Sequence, residues 1–321
     1  MLCPTRVATW TSILLGLYKT IIIGRLLRFL NFLFHLYADD SQLIKSVMAQ
    51  LHKQLEEVIQ SIQTGVAEIS NWMGNNKLKL NEEKTEFIIF GTRQQLNRLE
   101  IDTINLVTSV IKKAKSVRNL GIMMDPLLDM NIHISYICKT CFFKIRSIWK
   151  IRRNLTIKST KTLVHALIIS KLDYCNTLLY GIHDYLLEKL QKVQNAAARL
   201  VMGCSNSTPS KPLLQQLHWL PIRERITFSL LFQVFKALNN LSPPYVADML
   251  SFQTAQRTTR SSTQQLLSIP KWNNKTCAKR SFSVAGPIEW NKLSLDIRQK
   301  TTPKDFKREL KTYLFKKCYN C

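Results

Sequence analysis

Phe34-His35-Leu36-Tyr37-Ala38-Asp39-Asp40-Ser41-Gln42-Leu43 is the stretch on which the reading of this chain turns. An apolar run over residues 32–37 leads into two adjacent carboxylates, and Leu43 and Ile44 resume the apolar pattern. The expectation is strand, tight turn, strand, with strands at residues 32–37 and 41–47 and the acids at the tip. Paired carboxylates in that position suit a hard divalent cation such as Mg²⁺, and phosphoryl transfer uses such ions to neutralise developing charge. An Asp-Asp pair by itself is equally the signature of a solvated turn, so its meaning depends on its surroundings.

Working outward, residues 49–74 place Leu51, Leu55, Val58, Ile62, Val66 and Ile69 at three- and four-residue steps, with Lys53, Glu56, Glu57 and Gln60 between them. That is an amphipathic helix. Next come Asn71-Trp72-Met73, Lys77-Leu78-Lys79-Leu80-Asn81, and Lys84-Thr85-Glu86-Phe87-Ile88-Ile89-Phe90-Gly91, with a strand expected at residues 86–90. Residues 104–110 and 116–124 read as strands from their β-branched content, and the second contains Asn119-Leu120-Gly121-Ile122-Met123-Met124-Asp125. After Asp125-Pro126 the pattern becomes helical: residues 131–153, 157–172, 185–202 and 222–239, with breaks at 203–210 and at Ser242-Pro243-Pro244. Residues 251–268 are rich in Ser, Thr and Gln and read as a linker, and a short helix is expected at 302–316.

In order and spacing, the Asp-Asp hairpin, the 71–91 block and the 119–125 turn resemble the palm of non-LTR (LINE-like, jockey-type) retrotransposon reverse transcriptases. The resemblance continues through Lys171-Leu172-Asp173-Tyr174-Cys175-Asn176, Gln191 to Ala197, Leu217-His218-Trp219-Leu220-Pro221 and Phe282-Ser283-Val284-Ala285-Gly286-Pro287, and it ends in residues 306–315. It implies an α+β fold. Residues 1–125 would be a partial reverse-transcriptase palm of antiparallel strands plus helices. Residues 126–250 would be a helical thumb-like region, and residues 251–321 a linker with a basic C-terminal tail. It implies RNA-directed DNA synthesis as the family activity, with Mg²⁺ held by Asp39 and Asp40. Lys84 would stand near the incoming nucleotide, where an ammonium can act as general acid toward the leaving pyrophosphate.

The family takes a third carboxylate from an earlier palm strand. Residues 1–38 here contain no Asp or Glu, and their charges are Arg6, Lys19, Arg25 and Arg28. The expectation is therefore a chain that starts inside the palm and is catalytically incomplete, with a missing palm half, supplied by another chain, as one partner to look for. The contrasting reading is a domesticated or vestigial helical module that binds protein and uses its charge only for solubility.

Charge separates these readings. The chain has 46 basic and 21 acidic residues in 321, a net charge of +25. Between Asp129 and Asp173 there is no acid, against nine bases: Lys139, Lys144, Arg146, Lys150, Arg152, Arg153, Lys158, Lys161 and Lys171. Residues 257–321 carry 15 basic and 4 acidic residues. One-signed charge at this density costs self-repulsion that a polyanion offsets. On the 131–153 helix, Lys139, Arg146, Lys150 and Arg153 fall on one stripe opposite Ile134, Ile137, Cys141, Ile145 and Ile148. Such a stripe suits phosphates of RNA or DNA, held without reading sequence. Trp72, Trp149, Trp219, Trp272 and Trp290 could stack on bases; Trp72 and Trp219 sit among apolar neighbours and read better as core, and Trp272 is the foremost candidate because Lys271 and Lys275 flank it.

Eight scattered cysteines without a secretory signal fit a reducing compartment, cytoplasm or nucleus. Cys138/Cys141 and Cys318/Cys321 form two C-x-x-C pairs, but the first lies mid-helix, where a core cysteine is the better reading than a zinc knuckle. Residues 13–37 are apolar, yet Lys19, Arg25 and Arg28 interrupt them. Each would cost roughly 2.5–3.5 kcal/mol at the centre of a membrane, so a palm helix over residues 11–30 followed by the 32–37 strand is preferred to a membrane span.

Overall fold

The computed structural model describes residues 33–37, 40–46, 52–253, 265–271 and 278–319. Helix and sheet are mixed in an α+β arrangement, and the chain divides into two compact units, residues 1–117 with 125–127 and residues 118–124 with 128–321. The helix expected upstream of residue 31 lies outside the described residues.

In the first unit, β1 (Leu33–Tyr37) and β2 (Asp40–Ile44) pair antiparallel, with Leu33 opposite Ile44 and Tyr37 opposite Asp40. Directly opposed residues share a face, so Leu33, His35, Tyr37, Asp40, Gln42 and Ile44 stand on one side, and all but the half-buried Gln42 are exposed. Leu43 packs instead with α1 (His52–Asn75), where Ile69 and Met73 are buried and Ile62, Trp72, Leu78 and Leu80 close around them. The helix stops where Lys77 turns left-handed at φ 55 and the Leu78 N–H donates back to the Met73 carbonyl at 2.8 Å.

Two strand expectations change in this unit. Residues 86–90 make a single bridge, Phe87 to Lys113, backed by the Ala114 N–H donating to the Phe87 carbonyl at 2.7 Å. β-rich composition favours extended backbone, but a ladder needs a neighbouring strand over several residues. Residues 104–110 fold back on themselves: β3 (Thr103–Asn105) pairs with β4 (Val110–Lys112) across a turn closed by Leu106 N–H to Ser109 O at 2.7 Å. Glu82 anchors that turn by accepting from the Ser109 hydroxyl at 2.5 Å and the Thr108 N–H at 3.3 Å. These donors, Ser109 first, hold its carboxyl below the ordinary carboxylate value.

A further hairpin, β5 (Val117–Asn119) and β6 (Ile122–Met124), replaces the single strand expected at 116–124. Its two-residue turn has Leu120 at φ 44 and Gly121 at φ 88. Two positive φ values in succession give the twist that matches paired strands, and glycine adopts one freely.

The rest of the second unit is helical. α2 (Arg93–Leu96) belongs to the first unit, and α3 (Asn131–Ile151) opens the helices of the second. α4 (Ile157–Val164) runs through a π turn, His165–Ile169, into α5 (Ser170–Asp173), in place of one regular helix over 157–172. The wider turn lets Val164, Ile168, Ile169 and Leu172 all reach the core. α6 (Asp184–Met202) packs along α3, and α7 (Ser210–Gln216) packs on α6. α8 (Ile222–Leu238) leads to the short α9 (Pro244–Ala247).

Of the region expected as linker and basic tail, residues 254–264 lie outside the described residues, and described residues from 265 onward contribute to a core. Leu267, expected in the linker, is fully buried, and its N–H and carbonyl are both held by the Asn291 side chain at 2.9 Å. It joins α10 (Phe282–Trp290), α11 (Leu295–Arg298) and α12 (Pro303–Tyr319) around α8. The rings of Phe235 and Phe306 stack at 4.3 Å. A Cβ on Gly286 would come within 2.8 Å of Val234 Cγ2, so α10 approaches α8 at a distance only glycine allows. Ser, Thr and Gln dominate the composition of 251–268, and two adjacent leucines among them, Leu266 and Leu267, give no periodicity by which burial could be foreseen.

Candidate nucleic-acid interface

α3 is built as its sequence period requires. Ile134, Ile137, Cys141, Ile145 and Ile148 are buried, and Ile134 and Cys141 have no exposed surface. The opposite stripe carries Lys139, Arg146, Lys150 and Arg153, all four exposed. Arg153 sits just past the helix, in the 3-10 turn Arg152–Asn154. Among the described residues none of the four makes an ion pair; the paired bases are Lys113, Arg223, Arg225, Lys292 and Arg308. The stripe therefore offers uncompensated positive charge.

Not every base of the acid-free stretch is available. The Arg152 guanidinium donates to the carbonyls of Leu200 at 2.8 Å, Val201 at 3.0 Å and Leu155 at 2.9 Å. It thereby caps the C-terminal end of α6, where carbonyls lack helical partners and a cation is favoured. Its neighbour Arg153 is free of that task.

The start of α3 is tied down by His133, which is buried and accepts from the Met123 N–H through Nδ1 at 3.4 Å. Burial pushes its pKa below the ordinary histidine value, which keeps the ring neutral and able to accept. His133 thus fastens β6 to the helix. Cys141 is a core thiol, pushed up to about 12 by burial first and then by Cys138, and so remains protonated and unreactive. Cys321, the last member of the second C-x-x-C pair, lies outside the described residues.

The structure distributes the stacking candidates unevenly. Trp219 and Trp290 are buried, and Trp72 packs beside Ile69 and Met73. Trp272 lies outside the described residues. Trp149 is the exposed one, at 52%, on the flank of α3. Sequence reasoning missed two rings on the charged stripe itself, Tyr136 and Phe143, both exposed. Their spacing from Lys139, Arg146 and Lys150 carried the signal, at three- and four-residue steps.

For the hairpin, Asp40 begins β2, exposed and opposite Tyr37, while Asp39 lies outside the described residues. Lys84 is exposed in the 3-10 turn Glu82–Lys84, where its backbone N–H donates to the Asn81 side chain at 3.3 Å. Among the described residues no three His, Cys, Asp or Glu side chains come together as a metal site. No described helix is long and apolar enough to cross a membrane.

No family model, no curated protein and no solved structure matches this chain.

Proposed function

We propose that the chain derives from the palm and thumb of a non-LTR retrotransposon reverse transcriptase and that it binds RNA or DNA through phosphates along α3, without completing DNA synthesis. The observation that carries the binding is the stripe of Lys139, Arg146, Lys150 and Arg153, exposed and unpaired, on a helix whose other face is buried. A helix so anchored presents its cations on a rigid base, so little ordering is lost on contact with a strand. The resemblance of the 34–43, 71–91 and 119–125 blocks supports the origin. For catalysis, the family's chemistry needs a carboxylate from before the Asp-Asp pair, and residues 1–38 supply none.

Phosphate binding releases counterions, so affinity should fall with salt at a log–log slope of about −0.7 to −0.9 per phosphate contacted. Replacing the four stripe residues by glutamine should weaken binding at low salt and flatten that slope by several units, with folding intact. Equal slopes for the two proteins would remove α3 from the binding surface. Template-dependent primer extension by the wild type, abolished in Asp40→Asn, would overturn the catalytic half of the proposal.

A further inference from the structure

The exposed face of α3 is not purely cationic. Ile132, Tyr136, Lys139, Phe143, Arg146 and Lys150 follow one another at alternating steps of four and three residues, which draws them into one line along the helix. Tyr136 is 45% exposed and Phe143 59%, on a helix that has ample buried positions for large apolar side chains. Each ring thus neighbours a cation: Tyr136 lies one turn before Lys139, and Phe143 lies between Lys139 and Arg146. The Lys144 ammonium adds another, 5.8 Å from the Phe143 ring centroid, at the outer limit of a cation–π contact.

Resting on the nucleic-acid reading above, the geometry points to a single-stranded polynucleotide as the occupant of this line, with bases stacked on Tyr136 and Phe143 and phosphates at Lys139, Arg146 and Lys150. Base faces are open for stacking only where they are not already stacked in a duplex, whereas phosphates are open in both. A line that served duplex phosphates alone would have no use for exposed rings beside its cations. The line from residue 132 to 153 runs roughly 30 Å at the helical rise, enough for about nine nucleotides at stacked spacing. Charge complementarity selects a polyanion over an apolar protein partner, because no apolar pair on the line is left without a neighbouring cation. Stacking and phosphate contacts are features that RNA and DNA share, so both single strands should bind.

The test uses the full chain and labelled mixed-sequence strands of about 15 nucleotides: single-stranded DNA, single-stranded RNA of the same sequence, and the DNA duplex. The proteins are wild type, Tyr136→Ala/Phe143→Ala, Phe143→Trp, Phe143→Leu and the four-glutamine variant. The double alanine variant should lose about 10- to 100-fold in affinity for both single strands at an unchanged salt slope, and less than about twofold for the duplex. Tryptophan at 143 should preserve single-strand affinity and leucine should not. Equal losses on single strand and duplex, or no loss, would overturn the stacking line; if the four-glutamine variant still flattened the slope, the phosphate-binding reading would survive. Leucine performing as well as tryptophan would show that stacking on residue 143 does not hold the strand and would also overturn it. A wild type that binds none of the three ligands would overturn both readings together.

Discussion

Arg152 and Arg153 show how much one position decides. The two are adjacent, identical and part of the same acid-free run. Arg152 reaches three carbonyls at the end of α6 and of its own turn, whereas Arg153 is exposed. Removing the first leaves partly buried acceptors without a donor; removing the second takes away a solvated charge. Arg152→Ala should therefore lower unfolding free energy by about 2–3 kcal/mol. Arg153→Ala should change it by no more than about 0.5 kcal/mol. Denaturant midpoints of the two variants check this, and equal shifts would contradict it. The dipeptide itself does not distinguish the pair, because which guanidinium meets α6 depends on where α3 ends against it.

At the scale of elements, the clearest gap between composition and structure is the β5–β6 hairpin. β-branched residues signalled extended backbone over 116–124 correctly, but not the reversal at Leu120-Gly121. Gly121 was the local cue, and a leucine at φ 44 obscured it. The Tyr174 hydroxyl, donating to the Leu120 carbonyl at 2.6 Å, fixes the turn from the helical side. Leucine is strained in the left-handed region and asparagine is not. Leu120→Asn should thus stabilise by about 0.5–1 kcal/mol, since the side chain is exposed and the bond from Tyr174 uses only backbone. Gly121→Ala, at φ 88, should destabilise by about 1–2 kcal/mol. Thermal melts showing the same sign for both would refute the turn assignment. The long helices were legible in contrast: α3, α6 and α8 bury residues at a period near 3.6, and α1 carries the same period with Ile69 buried.

For the molecule as a whole, the C-terminal helices supply part of the core of the second unit. Phe306 has no exposed surface and stacks on Phe235 and on Trp290, which brings α12, α8 and α10 into one core. Were this region a tail, truncating Phe306 would leave the main unfolding transition in place. Because it is core, Phe306→Ala should cost about 3–5 kcal/mol and shift the transition of the second unit as one event. Far-UV circular dichroism during urea unfolding measures it, and an unmoved transition would restore the tail reading.

Several features are decided by the sequence alone. The α+β mixture, the positions of the long helices, the hairpin about Asp40 and the basic stripe of α3 all follow from local periodicity and charge order, which act within a few residues. Other features exist only in tertiary structure. Leu267 becomes core through Asn291, Arg152 becomes a cap through α6, and 157–173 takes a π turn to bring both Ile168 and Ile169 inward. Each of these depends on a partner distant in sequence, and a residue's own neighbours carry no information about which surface will be packed against it.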